Sequence, residues 1–161
     1  MARFDFSRET GRFGLMEKKE SPIQKFAAFL EQFSLDSTEL LQDFYDTTIE
    51  FKDPINQAGD LEELKRVFAD LFKQLNDVQF TITALSENGS GGFVRWQMDY
   101  RFRRRLRTIE GVSYVTFNAH GLVTKQTDYW DASFPIYGEF PLLGAAIRAI
   151  RYIVSVKHPK A

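Results

Sequence analysis

The stretch FKDPINQAGDLEELKRVF, residues 51–68, joins a strand pattern to a helix pattern. Phe51 and Asp53 at its start, together with Ile49 just before it, alternate with polar residues, which is the period of a half-buried strand, and Pro54 ends that strand. Asp60 is a favourable helix N-cap, and the apolar residues after it recur at helical spacing. These residues are Leu61, Leu64, Val67, Phe68, Leu71, Phe72 and Leu75. The stretch therefore predicts a strand, a tight turn and an amphipathic helix.

Two more helices are predicted before this stretch. Ser21 and Pro22 form an N-cap followed by proline at the first helical position, and Phe26, Phe29, Leu30 and Phe33 follow at helical spacing. A second helix follows Asp36 and Ser37, with Leu40, Leu41, Phe44 and Tyr45 on one side. Residues 1–20 are charged and aperiodic, so we expect an N-terminal extension there and a single domain over residues 21–161.

After the third helix the apolar period changes from helical spacing to two. Alternating residues predict four long strands, over residues 78–84, 94–107, 109–118 and 122–131, with turns at ENGSGG (87–92) and NAHG (118–121). A final apolar helix is predicted over residues 142–156. Helices collected on one face of a curved antiparallel sheet make an α+β layer fold.

Composition excludes several kinds of site. The 161 residues include no cysteine and two histidines, so disulfides, thiol catalysis and multi-histidine metal sites are ruled out, and we expect neither metal nor cofactor. The net charge of −1 gives no general attraction to nucleic acid. No apolar run reaches the roughly 18–20 residues that span a membrane, and the N-terminus lacks an apolar signal core. A cytoplasmic location is the resulting expectation.

The order of elements resembles the nuclear transport factor 2-like superfamily, and within it the SnoaL-like proteins and the ketosteroid isomerases. The resemblance covers residues 22–131 and is most specific in residues 51–68 and in VTFNAHGLVTKQTDYWD, residues 115–131. It implies a cone-shaped fold whose sheet curls around the helices and leaves an apolar cavity at the wide end. It also implies a homodimer formed through the sheet. Members include isomerases, cyclases, dehydratases, epoxide hydrolases and non-enzymatic binding proteins, so the fold constrains function weakly.

Asp53 is the first candidate catalytic residue. Its strand parity matches Ile49 and Phe51, which points it toward the core, and the resemblance places it where ketosteroid isomerases keep their general base. The alternative is that Asp53, directly before Pro54, organises a turn. The resemblance also places Phe29 and Ser113 where those isomerases hold the developing enolate with a tyrosine and a protonated aspartate. Phenylalanine donates no hydrogen bond and serine is a shorter donor, so steroid isomerisation by that route is not expected.

Asp128 is the second candidate catalytic residue. It shares strand parity with Gln126 and Trp130, whereas Val123 and Tyr129 have the opposite parity. Two carboxylates in one apolar pocket push their pKa values apart and so supply an acid and a base. The alternative is a structural ion pair between Asp128 and an arginine, Arg95 or Arg104.

Nine further residues are predicted to line the pocket, although the aromatic ones are equally typical of a core. They are Phe29, Asn56, Phe68, Phe72, Trp96, Met98, Tyr100, Ser113 and Trp130. The final helix is expected to close the cone or pack on a second subunit. Binding to a membrane is the less favoured alternative, because the helix lacks a broad basic face.

Two functional hypotheses remain. The first is a cofactor-free enzyme that acts on a small apolar molecule by acid–base chemistry, as an isomerase, cyclase, dehydratase or hydrolase. The second is a non-catalytic ligand-binding or dimeric interaction module.

Overall fold

A computed structural model of the chain describes residues 20–133 and 141–155. Its helices are α1 (Pro22–Glu31), a 3₁₀ helix (Leu35–Asp43), α2 (Leu61–Gln74) and α3 (Pro141–Val154). Its strands are β1 (Tyr45–Lys52), β2 (Gln57–Ala58), β3 (Asn76–Asn88), β4 (Gly91–Phe102), β5 (Arg105–Phe117) and β6 (Val123–Trp130). The predicted extension over residues 1–20 falls almost entirely outside the described residues. None of the helices in the described ranges is long and apolar enough to cross a membrane.

The strands form one curved sheet in the order β2-β1-β6-β5-β4-β3. The four long strands β3 to β6 pair antiparallel, as predicted, and the α+β class is confirmed. However, β1 pairs with β6 in parallel, so the sheet is mixed and not purely antiparallel. This pairing places the end of β1 beside β6, and so brings the turn at Asp53 to the strand that carries Asp128.

The prediction of the second helix was wrong in the type of helix and in the residue at which it ends. Residues 35–43 form a 3₁₀ helix, and Tyr45 is the first residue of β1, where it pairs with Val123. The Tyr45 side chain is buried and its ring packs edge-on against Phe26, with 5.9 Å between ring centres. Pairing with β6 and burial of the ring therefore outweigh the helical spacing in this segment.

Two features of the long strands also differ from the predictions. The hairpin between β4 and β5 turns at Arg103 and Arg104, both with positive φ, several residues before the predicted break. Glycine or asparagine usually occupies such positions, so the sequence carried no signal for this turn. In β6 a register shift near the start of the strand buries Val123, whereas the parity of the strand predicted that this residue faces outward. An extra residue in one strand of a pair has this effect, because it reverses the parity on one side of the bulge.

The core lies between the helices and the inner face of the sheet. On β4 the buried residues Val94, Trp96, Met98 and Tyr100 alternate with more exposed ones. Phe33, two residues after α1, contacts the rings of Phe29, Phe68 and Phe72 at centre-to-centre distances of 4.8–5.2 Å. Burial of such aromatic side chains is the main stabilising contribution that fixes the helices on the sheet.

Candidate functional site

A pocket of about 300 Å³ lies where β1 ends beside β6. It is lined by Lys52, Asp53, Pro54, Thr127, Asp128, Tyr129 and Trp130. Both predicted carboxylates and the predicted Trp130 therefore lie at one site. The parallel pairing of Lys52 with Thr127 accounts for this, because the next residue of each strand enters the same pocket.

Asp53 organises the turn that follows β1. Its Oδ1 atom accepts hydrogen bonds from the backbone N–H groups of Ile55, at 2.6 Å, and Asn56, and its Oδ2 accepts from Asn56 Nδ2 at 3.0 Å. The backbone N–H of Asp53 in turn donates to the Asn56 carbonyl at 3.0 Å. Asp53 thus lines the pocket while both of its carboxylate oxygens are used within its own turn.

Asp128 is held by neighbouring strands. It lies opposite Ser113 in the register of β5 and β6, and Gln126 Nε2 donates to its two oxygens at 2.9 and 3.1 Å. Burial raises the pKa of Asp128 to about 7, and the charge of Asp53 adds to that rise, while the hydrogen bonds from Ser113 and Gln126 oppose it. Desolvation therefore prevails, and both protonation states are populated near neutral pH. A group with this pKa can donate or accept a proton at pH 7.

Ser113 connects Asp128 to the core. Its side chain is fully buried, and its Oγ accepts a hydrogen bond from Trp96 Nε1 at 2.9 Å, which leaves the hydroxyl proton for Asp128. Gly111 is required for this arrangement, because a Cβ atom at that position would overlap the Trp96 ring. The indole lies across the glycine of the next strand and so reaches Ser113 diagonally.

Gln126 and Tyr45 are site residues that the sequence analysis missed. Gln126 is buried, and its Oε1 accepts a hydrogen bond from the Tyr45 hydroxyl at 2.7 Å. This bond fixes the amide so that its N–H group faces Asp128. Burial, and then the charge of Asp128, raise the pKa of Tyr45 well above its usual value, so the phenol stays protonated. The parity of Gln126 was a usable signal, but the role of Tyr45 was hidden by its placement in a helix.

Most of the other residues predicted to line the pocket lie outside it. Phe29, Phe68, Trp96, Met98 and Tyr100 are buried in the core, Phe72 is partly buried beside them, and Asn56 lies in the Asp53 turn. Their contact with a ligand remains a prediction. Arg95 pairs with Glu110 at 3.0 Å and Arg104 lies in the exposed β4–β5 turn, so the structural ion pair proposed for Asp128 does not form with either. Within the described ranges, no group of three or more acidic or histidine side chains is placed to hold a metal ion.

A larger pocket, of about 760 Å³, lies beside the same strands. Its lining includes Glu50 and Lys125, which form an ion pair at 3.6 Å, and the exposed Tyr129. Lys125 and Glu50 keep 51% and 73% of their side-chain surface in solvent, so their charges are well hydrated. A hydrated pair lacks the environment that prepares a group for proton transfer, and the smaller pocket at Asp128 is the better candidate site.

Comparison with known proteins identifies a family and agrees with the fold. A sequence model of the SnoaL-like domain matches residues 26–126, which include Tyr45, Asp53, Ser113 and Gln126. The chain matches none of the curated proteins with which it was compared.

Solved structures share the fold at low sequence identity. A protein with a ketosteroid isomerase-like fold from Catenulispora acidiphila DSM 44928, in complex with trimethylamine, is 13% identical, with a TM-score of 0.61 over 70% of this chain and 86% of its own. A candidate SnoaL-like polyketide cyclase from Jannaschia sp. CCS1 is 10% identical, with a TM-score of 0.60 over 68% and 85%. An NTF2-like protein of unknown function from Burkholderia pseudomallei K96243 is 10% identical, with a TM-score of 0.62 over 71% and 92%.

Proposed function

The chain belongs to the SnoaL-like domain family, and on that premise we propose that it binds a small apolar molecule at the pocket between β1 and β6 and transfers a proton through Asp128. The observation that supports this is a partly buried carboxylic acid with a pKa of about 7 in the wall of a pocket beside Trp130. Proton transfer of this kind needs no cofactor and suits isomerisation, cyclisation or dehydration.

The bonds around Asp128 define its part in the reaction. Ser113 and Gln126 hold the carboxyl group from the sheet side, so its orientation toward the pocket is fixed before a ligand arrives. In the ionised state it can remove a proton next to a carbonyl group, and in the protonated state it can return one. Asp53 contributes a nearby negative charge that keeps the proton on Asp128 at higher pH.

The proposal does not include stabilisation of an enolate by a tyrosine and a protonated aspartate, which ketosteroid isomerases use. Phe29 is buried and stacked on Phe44 at 4.0 Å between ring centres, so its position supplies no donor. The single hydroxyl proton of Ser113 goes to Asp128, because Trp96 already donates to its oxygen. An enolate in this pocket would need a donor from the ligand itself or from water.

Hydrogen–deuterium exchange of a simple ketone tests the proposal without knowledge of the natural substrate. The full chain is mixed with 2-tetralone in D₂O at pD 7, and loss of the α-proton signals is followed by NMR. We expect exchange above that of a blank, and a fall of about 10²–10⁴-fold in Asp128→Asn. Asp70→Asn is the matched control, because it removes an exposed carboxylate of α2 that does not line the pocket and should leave the rate unchanged.

The non-catalytic hypothesis is the second candidate, because both oxygens of Asp53 are used in its turn. It predicts quenching of tryptophan fluorescence by 2-tetralone with equal affinity in wild type and Asp128→Asn, and exchange no faster than the blank. That result would overturn the proton-transfer part of the proposal and leave ligand binding in place.

A homodimer formed through the outer face of the sheet belongs to the same proposal. Phe93 and Tyr129 lie on that face with 46% and 61% of their surfaces exposed, and Phe93 packs on Tyr114 at 5.1 Å between ring centres. Exposed aromatic side chains of this kind favour an interface. Sedimentation equilibrium should give twice the chain mass of 18.7 kDa, and Tyr129→Glu should shift the protein toward the monomer.

A further inference from the structure

The buried hydroxyl group of Tyr45 is separated from Asp128 by a single side chain. Tyr45 is 1% exposed, its O–H donates to Gln126 Oε1 at 2.7 Å, and Gln126 Nε2 donates to both oxygens of Asp128 at 2.9 and 3.1 Å. We propose that Tyr45 is a positioning residue for proton transfer by Asp128, because its hydroxyl holds the Gln126 amide in the orientation that directs the carboxyl proton of Asp128 into the pocket. This inference rests on the proton transfer proposed above.

The orientation of the Gln126 amide follows from what each group is able to donate. Among the described residues, Gln126 is the hydrogen-bond partner of the Tyr45 hydroxyl, which donates to the amide oxygen. The NH₂ group of Gln126 therefore faces Asp128. If the amide were turned over, its NH₂ group would meet the Tyr45 oxygen, and the hydroxyl proton would be buried without an acceptor. Such a proton is unfavourable in a core, so Tyr45 selects the first orientation.

Ser113 is also fixed as a donor to Asp128. Trp96 Nε1 donates to Ser113 Oγ at 2.9 Å, and an indole N–H can only donate, so the serine hydroxyl donates to Asp128. When Asp128 is protonated, neither Gln126 nor Ser113 offers its O–H an acceptor, and the proton faces the pocket. The matching ligand has an acceptor there, such as a carbonyl oxygen. As the Asp128 O–H bond breaks, an O–H bond to that oxygen forms, and the same two donors stabilise the carboxylate that remains.

The other titratable groups around Asp128 are few. Lys52 and Asp53 line the same pocket from the end of β1, and Tyr129 lines it from β6. Among them, the charge of Asp53 raises the pKa of Asp128. Burial, and then the charge of Asp128, raise the pKa of Tyr45 well above its usual value, so its hydroxyl keeps its proton while Asp128 titrates. Loss of that hydroxyl therefore changes the hydrogen bonds around Asp128 without removing a charge.

Titration of the ¹³C-labelled carboxyl carbon of Asp128 in Tyr45→Phe tests the proposal. The substitution keeps the ring that packs on Phe26 and removes only the hydroxyl, so the Gln126 amide can turn its oxygen toward Asp128. An acceptor stabilises the protonated acid, so we expect the midpoint of Asp128 to rise by about one pH unit.

The 2-tetralone exchange rate gives a second measurement on the same variant. In Tyr45→Phe the carboxyl proton of Asp128 is donated to Gln126 instead of the ligand, so the rate at pD 7 should fall about tenfold, and the pH profile of exchange should move with the midpoint. Tyr114→Phe is the matched control, because it also removes a tyrosine hydroxyl but from a residue that does not line the pocket. It should change neither the midpoint nor the rate.

Gln126→Met keeps the proposal falsifiable if Tyr45→Phe does not fold. It removes the amide that donates to Asp128, so the midpoint should rise in this variant as well. Addition of Tyr45→Phe to Gln126→Met removes both partners of one hydrogen bond, which is less destabilising than removal of one partner. Because Tyr45 acts through Gln126, the double variant should have the same midpoint as Gln126→Met alone.

The outcomes separate this inference from the proposed function. An unchanged Asp128 midpoint in folded Tyr45→Phe or in Gln126→Met would overturn the role of Tyr45 and leave the proposed function in place. A further shift in the double variant would overturn the connection through Gln126. A midpoint that rises in Tyr45→Phe, together with no ketone exchange in the wild type, would support the effect of Tyr45 on Asp128 and overturn the proposed function. Far-ultraviolet circular dichroism checks that each variant is folded.

Discussion

Asp53 and Asp128 line one pocket, but the groups that hold them come from different distances along the chain. Asp53 is bound by residues two and three positions away, within a turn that Pro54 begins. Asp128 is bound by Gln126 on its own strand and by Ser113 on the next, and these connect to Tyr45 and Trp96. Asp53 therefore fixes the conformation of its turn, whereas Asp128, which is bound by residues of two strands, is available for proton transfer.

The largest expected change in stability comes from Gly111→Val, which should disturb the residues that hold Asp128 but not those that hold Asp53. The new side chain would overlap the Trp96 ring and displace it from Ser113, whereas the bonds that hold Asp53 lie within its own turn. Overpacking of this kind lowers the free energy of unfolding by about 1–3 kcal/mol. Urea unfolding measures the loss. An unchanged midpoint would show that Trp96 does not need Gly111 to reach Ser113.

The pH dependence of stability should distinguish Asp128 from other carboxylates. Its folded pKa of about 7 lies above the ordinary value of 3.8, so the folded state binds the extra proton between these two values. The free energy of unfolding therefore falls as pH rises from about 4 to about 7. Asp128→Asn removes this contribution. After allowance for partial exposure, the stability difference between variant and wild type should shift in favour of the variant by about 1–2 kcal/mol over this window.

Urea unfolding of both proteins at pH 4.5, 6 and 8 checks this second prediction. Titrating groups remote from Asp128 occur in both chains and cancel in the difference. A difference in stability that stays constant with pH would contradict a raised pKa for Asp128.

The smallest expected effects concern Asp53. Asp53→Ala removes the acceptor for two backbone N–H groups and one amide, and should destabilise the protein by about 1 kcal/mol. Asp53→Asn keeps one oxygen acceptor and should destabilise the protein by less than half as much as Asp53→Ala. Thermal unfolding of the pair measures the difference. If both variants were as stable as the wild type, Asp53 would have no role in holding the turn.

Features that depend on local contacts were predicted from the sequence better than features that depend on distant contacts. The Asp60 cap, which accepts from Glu63 N–H at 2.8 Å, and the NAHG hairpin depend on neighbouring residues and were correctly predicted. The Asp53 turn, which is also local, was considered only as the alternative to a catalytic role. The Arg103–Arg104 turn was missed because its residue types give no turn signal, and Tyr45 because pairing with β6 outweighs its helical spacing.

The candidate site was predicted in part for the same reason. Strand parity correctly grouped Gln126, Asp128 and Trp130, since that part of β6 lies after the register shift, while Val123 before the shift was misplaced. The links from Asp128 to Ser113, and from Gln126 to Tyr45, depend on strand register, which a single sequence does not specify.

The central claim is that Asp128 holds a proton near neutral pH, and its carboxyl carbon reports this directly. The full chain is labelled with ¹³C-aspartate and titrated by NMR, with Asp128→Asn used to assign the signal. The structure predicts a midpoint near pH 7 for Asp128. It also predicts a lower midpoint in Asp53→Asn, because the neighbouring negative charge is then absent. A wild-type midpoint near 4 for Asp128 would contradict the assignment of this residue as the group that transfers the proton.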